Sequence, residues 1–140
     1  MTAPDPTTPA GARALARLAG DKIGWLTTVN ASGQPQSSPI WFLWLDDEIF
    51  FYSRGTARRN ADLRERPTVA FNLNTDASGD EVVTMEGIAR FDEAGPPSSQ
   101  HPAYLAKYLS AIEGYGWDTA YFDREYPFVV RITPTRWRVD

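Results

Sequence analysis

With 140 residues the chain has the length of one domain able to bury a core, and 42% hydrophobic with 13% aromatic residues excludes a disordered polymer. A formal net charge of −4 argues against a nucleic-acid binder, and the absence of cysteine excludes disulfides and thiolate chemistry. One histidine, His101 in the proline-rich stretch PPSSQHP, reads as a surface-loop residue, so no metal site is expected.

Residues 1–10, rich in Pro and Thr, read as a flexible tail, with residues 11–140 as the single domain. The tail lacks the basic and apolar regions of a signal peptide, and no apolar run approaches membrane-spanning length. A soluble, cytoplasmic protein without a membrane partner is expected. In ARALARLAGDK, Ala14, Leu15 and Leu18 recur at helical spacing. IGWLTTV and QPQSSPIWFLWL are β-rich runs joined by an Asn/Gly turn, and IFFYS follows an acidic turn. TARRNADLRER is rich in helix formers and stops at Pro67. TVAFNLNT and EVVTMEGIARFD form a hairpin around DASGD, AYLAKYLSAI returns to helical spacing, and YPFVVRITPTRWRV supplies one or two closing strands. Adjacent hairpins interrupted by one short helix predict a small antiparallel barrel, mainly β, with helices packed outside.

The second strand predicts two features. Gln36, Ser38, Ile40, Phe42 and Trp44 share one face; Ser37, Pro39, Trp41 and Leu43 share the other. Its second half is apolar on both faces, so one face fills the barrel and the other meets a second layer, expected to be another copy of the chain. Its first half is polar and contains Pro39, which cannot donate to a ladder and predicts a bulge or a broken ladder with backbone groups free for a ligand.

The stretch YSRGTARRNADLRERP, residues 52–67, holds five of the twelve arginines. Arg64 and Arg66 fall near a helix C-terminus, where cations are favoured. Arg58 and Arg59 fall in the first turn, where the helix dipole disfavours them. A bound anion explains them, with Arg54 added, Ser53 and Thr56 as hydroxyl donors and Gly55 allowing a close turn. The alternative is a solvated basic face in which Arg59 pairs with Asp62, three residues on, and Glu65 joins.

A strand ending in Tyr52–Ser53, the basic pair Arg58–Arg59, and Pro67 before TVAFNL is similar to the flavin-phosphate segment of the pyridoxamine 5′-phosphate oxidase superfamily. GQPQSSPIWF resembles the strand along which that superfamily lays its flavin ring, EVVTMEGIARFDE its next strand, and RITPTRWRV the last strand of its short members. The resemblance implies a split β-barrel that binds its cofactor through Ser37, Ser38, Pro39, Ile40 and Trp41 on the ring side. On the phosphate side it implies Ser53, Arg54, Thr56, Arg58 and Arg59, although Ala57 stands where the family has another hydroxyl. QSSPIW lacks the basic ring-contacting residues of true pyridoxamine-phosphate oxidases, while Pro39-x-Trp41 resembles the short members that use the deazaflavin coenzyme F420. The implied function is hydride transfer between F420 and a flat conjugated small molecule, quinone- or tetrapyrrole-like. The cofactor then carries the chemistry and no catalytic residue is assigned. FMN is the alternative cofactor, and a non-enzymatic flavin- or haem-binding module the alternative class. A homodimer with the site at its interface is expected. Trp25, Trp44 and Trp137 read as core and Trp41 as a ligand contact. Trp117, in GYGWDTAYFDREYP, lies in an aromatic segment that either folds over a site or packs on the barrel, with packing expected, and Glu86 reads as pointing outward or pairing with Arg90 or Arg131.

Overall fold

The computed structural model describes residues 3–140, so the first two residues of the expected tail lie outside it. Helix α1 (Pro9–Gly20) begins two residues inside that tail, because Thr8 caps it by accepting from the Gly11 N–H and Pro9 stands at its first turn. Strands β1 (Ile23–Val29), β2 (Pro35–Leu45) and β3 (Glu48–Ser53) follow. The β2–β3 turn places Asp46 and Asp47 at φ 53° and 57°, the paired positive values of a tight hairpin. Helix α2 (Arg59–Glu65) is shorter than its sequence pattern. Strands β4 (Thr68–Leu73) and β5 (Val83–Phe91), helices α3 (Pro102–Gly114) and α4 (Thr119–Glu125), and one closing strand β6 (Phe128–Val139) complete the chain.

The six strands close into an antiparallel barrel in the order β1-β2-β3-β6-β5-β4. Leu26, Ile40, Phe42, Phe51, Phe71 and Ile132 fill its interior, and Ala14 and Leu18 of α1 join them. Gly24 is required there, since a Cβ would lie 2.3 Å from the Phe71 ring. Glu86 is exposed opposite Arg136, whereas Arg90 and Arg131 bind Glu48 and Asp92.

Two expectations for β2 need correction. Its outer apolar face is covered by the chain's own helices: Trp41, Leu43 and Leu45 pack with Tyr104, Tyr108, Ile112 and Phe122 of α3 and α4. One of the two grounds for a homodimer is thereby removed. There is also no bulge at Pro39, which pairs in register with Trp25. Instead β2 changes partner, pairing with β1 over residues 35–41 and with β3 only over 42–45. The missing N–H breaks no ladder, and the β3 side of the first half stays open. At the changeover, Tyr104 Oη donates to the Trp41 carbonyl (3.0 Å) and Tyr108 Oη reaches the carbonyls of Phe42 and Lys22. Burial raises the pKa of both tyrosines, so both remain donors at neutral pH.

His101 is not a free loop residue. It is half-buried against Phe50 and caps α3, with Nδ1 accepting from the Tyr104 N–H at 3.2 Å. Trp25 lies on the outer face, its Nε1 donating to Asn74, while Trp44 and Trp137 meet edge-on beside the core.

Burial holds the His101 pKa below the ordinary value, helped by the nearby Arg131 charge. Below about pH 6.5 the unfolded chain therefore takes up a proton before the folded one, and stability falls as pH falls through that window. Denaturant midpoints at pH 7.5 and 5.5 should show this drop in the native chain. His101→Asn, which caps without titrating, should abolish it; an equal drop in both proteins would exclude the mechanism.

Candidate functional site

The opening on the β3 side of β2 faces the loop from Ser53 to Arg58 and the start of α2. Arg59 spans the gap at the mouth of the barrel. Its Nη1 donates to Ser38 Oγ at 2.9 Å and its Nε to Ser53 Oγ at 3.2 Å, and its guanidinium lies 5.4 Å from the Phe51 ring centroid. Ser53 is fully buried and passes its own proton to Asn60 Oδ1 at 2.6 Å, while Asn60 Nδ2 donates to the Arg54 carbonyl. This chain of bonds fixes the arginine.

Neither Arg58 nor Arg59 has an acid partner among the described residues; Asp62 and Glu65 pair with Arg66. The basic-face alternative therefore fails on its own terms. Arg58, exposed, is the residue before α2 and makes no capping bond. Burial lowers the Arg59 pKa from the usual guanidinium value, but such a group stays charged. A desolvated cation held by two neutral hydroxyls, with only two of its five donors used, is half of an ion pair.

Arg59 and Ala57 are shared by two clefts. One, of about 390 Å³, is polar: Ser37, Ser38 and Gln36 of β2, Thr28 and Asn30 at the end of β1, Arg58, and Asp62, whose carboxylate pairs with Arg66. The other, of about 320 Å³, is aromatic: Pro39, Ile40, Trp41 and Tyr52 against Tyr104, Tyr115, Trp117, Phe122 and Tyr126, with Arg54 on its wall. Of the expected residues, Ser37, Ser38, Arg58 and Arg59 thus meet in the polar cleft. Pro39, Ile40, Trp41 and Arg54 meet in the aromatic one, where the Ile40 side chain turns into the barrel core.

Two expected ligands are not brought in. Ser53 supports Arg59 from below instead of facing a cleft, and Thr56 is exposed and borders neither cleft, its neighbour Ala57 taking that place. Trp117 is a cleft residue, not simply packing. Helix α4, which sequence reading passed over, carries Phe122 and positions Tyr126. The density of aromatics in GYGWDTAYFDREYP was the available signal, and Asp118 as an N-cap before Thr119 marked the helix. No group of three or more His, Asp or Glu that could hold a metal occurs among the described residues, and no helix there is long and apolar enough to cross a membrane.

A family model described as pyridoxamine 5′-phosphate oxidase matches residues 11–139. No curated protein matches. Among solved structures the chain is similar to a conserved hypothetical protein from Mycobacterium tuberculosis (TM-score 0.72, 22% identity, covering 94% of this chain and 84% of that one). It is similar to the haem storage protein HutZ from Vibrio cholerae (0.66, 17%, 94% and 95%) and to an F420 reductase (0.59, 20%, 88% and 94%). At these identities the likeness speaks for the fold.

If Arg59 awaits an anion, removing its charge should not harm the unliganded fold. Arg59→Met should leave denaturant stability unchanged or raise it by about 1 kcal/mol, as at sites where function strains the fold. A loss above about 2 kcal/mol would make Arg59 a structural strut.

Proposed function

The chain belongs to the pyridoxamine 5′-phosphate oxidase family, and from that premise we propose that it is a cytoplasmic oxidoreductase using coenzyme F420 on flat conjugated small molecules. The single observation carrying this reading is Arg59, a part-buried cation without an acid partner, lining one polar cleft together with Arg58. Phosphate or carboxylate groups of a cofactor tail would complete that half-made pair, with Ser37 and Ser38 as neutral donors beside it. The open β3 side of residues 37–41 offers backbone groups to a planar ring, with Pro39 contributing no N–H. When bound, the deazaflavin supplies the hydride. The chain's residues hold the tail, orient the ring and exclude water. The neutrality of Gln36, Ser37 and Ser38 favours a deazaflavin over FMN, whose reduction builds negative charge at a ring edge that a flavin oxidase meets with a cation. Arg54, grouped with the tail on sequence grounds, lines the aromatic cleft and not the polar one, so it is not assigned to the tail.

Titrations of cofactor-free protein with F420 and with FMN should show tighter F420 binding, followed by turnover of quinones or biliverdin by reduced F420. Tighter FMN binding, or a yellow purified protein, would overturn the deazaflavin assignment while leaving the anion site intact. Arg58→Ala with Arg59→Ala should cost at least about 3 kcal/mol of cofactor affinity, two charged bonds at about 1.5 kcal/mol each.

The proposal includes a homodimer whose second copy closes the clefts, both of which are open grooves in the single chain. Light scattering at micromolar concentration should give the mass of two chains; a monomer would remove that part of the reading.

A further inference from the structure

Of the fourteen lysine and arginine residues only two are lysines, and they stand in different surroundings. Lys22, between α1 and β1, is exposed, whereas Lys107 is half-buried in the part of α3 that lies against β2. The Lys107 Nζ donates to the Phe42 carbonyl at 3.1 Å. It also rests over the Phe42 ring, 4.0 Å from the centroid, with the Tyr108 ring centroid 5.5 Å away. No carboxylate forms an ion pair with it among the described residues. Asp21 reaches it only through a longer-range field, which Lys22 opposes, and the Asp21 carboxylate is already bonded to Arg17 at 2.9 Å. Tyr108 keeps its proton and adds no charge.

An amine in this position loses hydration and gains no counter-ion. The rings and the neutral carbonyl offset only part of that loss, and burial brings its pKa down to about 8. About a tenth of the amine is then unprotonated at pH 7, against roughly one part in a few thousand for an ordinary lysine. Its partial exposure leaves it within reach of a small reagent from solvent. Desolvation against apolar groups is one of the ways a lysine becomes a nucleophile. An arginine at 107 would not serve, because a guanidinium keeps its proton.

We propose that Lys107 is an acylation site, its amine attacking the carbonyl carbon of a small acyl phosphate. The N–C bond forms, the C–O bond to phosphate breaks with its electron pair, and the proton lost by nitrogen leaves with the phosphate. The amide formed keeps one N–H for the Phe42 carbonyl and no longer carries a desolvated charge, so the folded chain accommodates it. Lys107 lines neither cleft, and this chemistry is independent of the cofactor reading.

Acetyl phosphate at limiting dose, followed by site-resolved mass spectrometry of the native chain, reads both lysines in one sample. At pH 7 Lys107 should be acetylated about tenfold faster than Lys22; a less basic amine is a weaker nucleophile, which takes back part of the gain in free amine. The Lys107 rate should bend near pH 8 and level off, while the Lys22 rate continues to rise. In denaturing urea the two rates should converge, since the preference belongs to the folded surroundings. Equal or faster labelling of Lys22 in the native chain at pH 7 would overturn the proposal. So would a parallel rise of both rates to high pH, or a preference for Lys107 that survives in urea.

Discussion

The feature on which the rest depends is the partner change in β2. An eleven-residue strand inside a six-stranded barrel would ordinarily be paired along both edges, yet β2 has β1 along residues 35–41 and β3 only along 42–45. Backbone groups on the open edge must find water, side chains or a ligand, since leaving them buried and unpaired is costly. The chain responds differently on the two sides of the changeover. Toward the helices, the Tyr104 and Tyr108 hydroxyls take the carbonyls of Trp41 and Phe42, and aromatic packing seals the wall. Toward α2 no protein backbone closes the gap, and one arginine side chain crosses it.

That arginine is held with unusual economy. Ser53 accepts from Arg59 while donating to Asn60, and Asn60 donates to the Arg54 carbonyl, so the Ser53–Asn60 bonds tie the loop to the strand end and the guanidinium rests on them. All of these partners are neutral. A carboxylate at any of these positions would neutralise the cation and repel an incoming anion. Arg58 and Arg59 therefore differ in kind. Arg58, exposed and uncapped, acts on a ligand through a well-screened field, whereas Arg59 acts from a desolvated position where each hydrogen bond is stronger.

Local chemistry explains what could be read from the sequence and what could not. The residues of β1, the alternation in β2 and the misplaced arginines at a helix start depend on periodicity and the helix dipole, which a single sequence displays. What covers the outer face of β2 depends on where α3 and α4 land, which periodicity does not encode. The apolar face was therefore assigned to a second copy when Tyr108 and Phe122 of the same chain fill it. Ser53 and Thr56 stand apart from both clefts for a related reason. A hydroxyl near a basic pair reads as a ligand in one dimension, but β3 alternation turns Ser53 inward beneath Arg59, and the turn at 55–56 faces Thr56 to solvent. His101 became a cap because burial against Phe50 leaves its Nδ1 only the Tyr104 N–H to serve.

The shared position of Arg59 and Ala57 bears on how two ligands could be handled at once. A larger residue at 57 would stand between the polar and aromatic clefts; alanine leaves them in contact. An anion seated on Arg59 would neutralise the charge that also faces the aromatic cleft, leaving Arg54 as the cation available there. The order of binding then has an electrostatic consequence. With the polar cleft empty, an anionic group entering the aromatic cleft is drawn toward both arginines. With it filled, Arg54 is the cation left to attract such a group there. One half-buried arginine shared by two grooves thus couples them through charge alone, with no movement of the backbone.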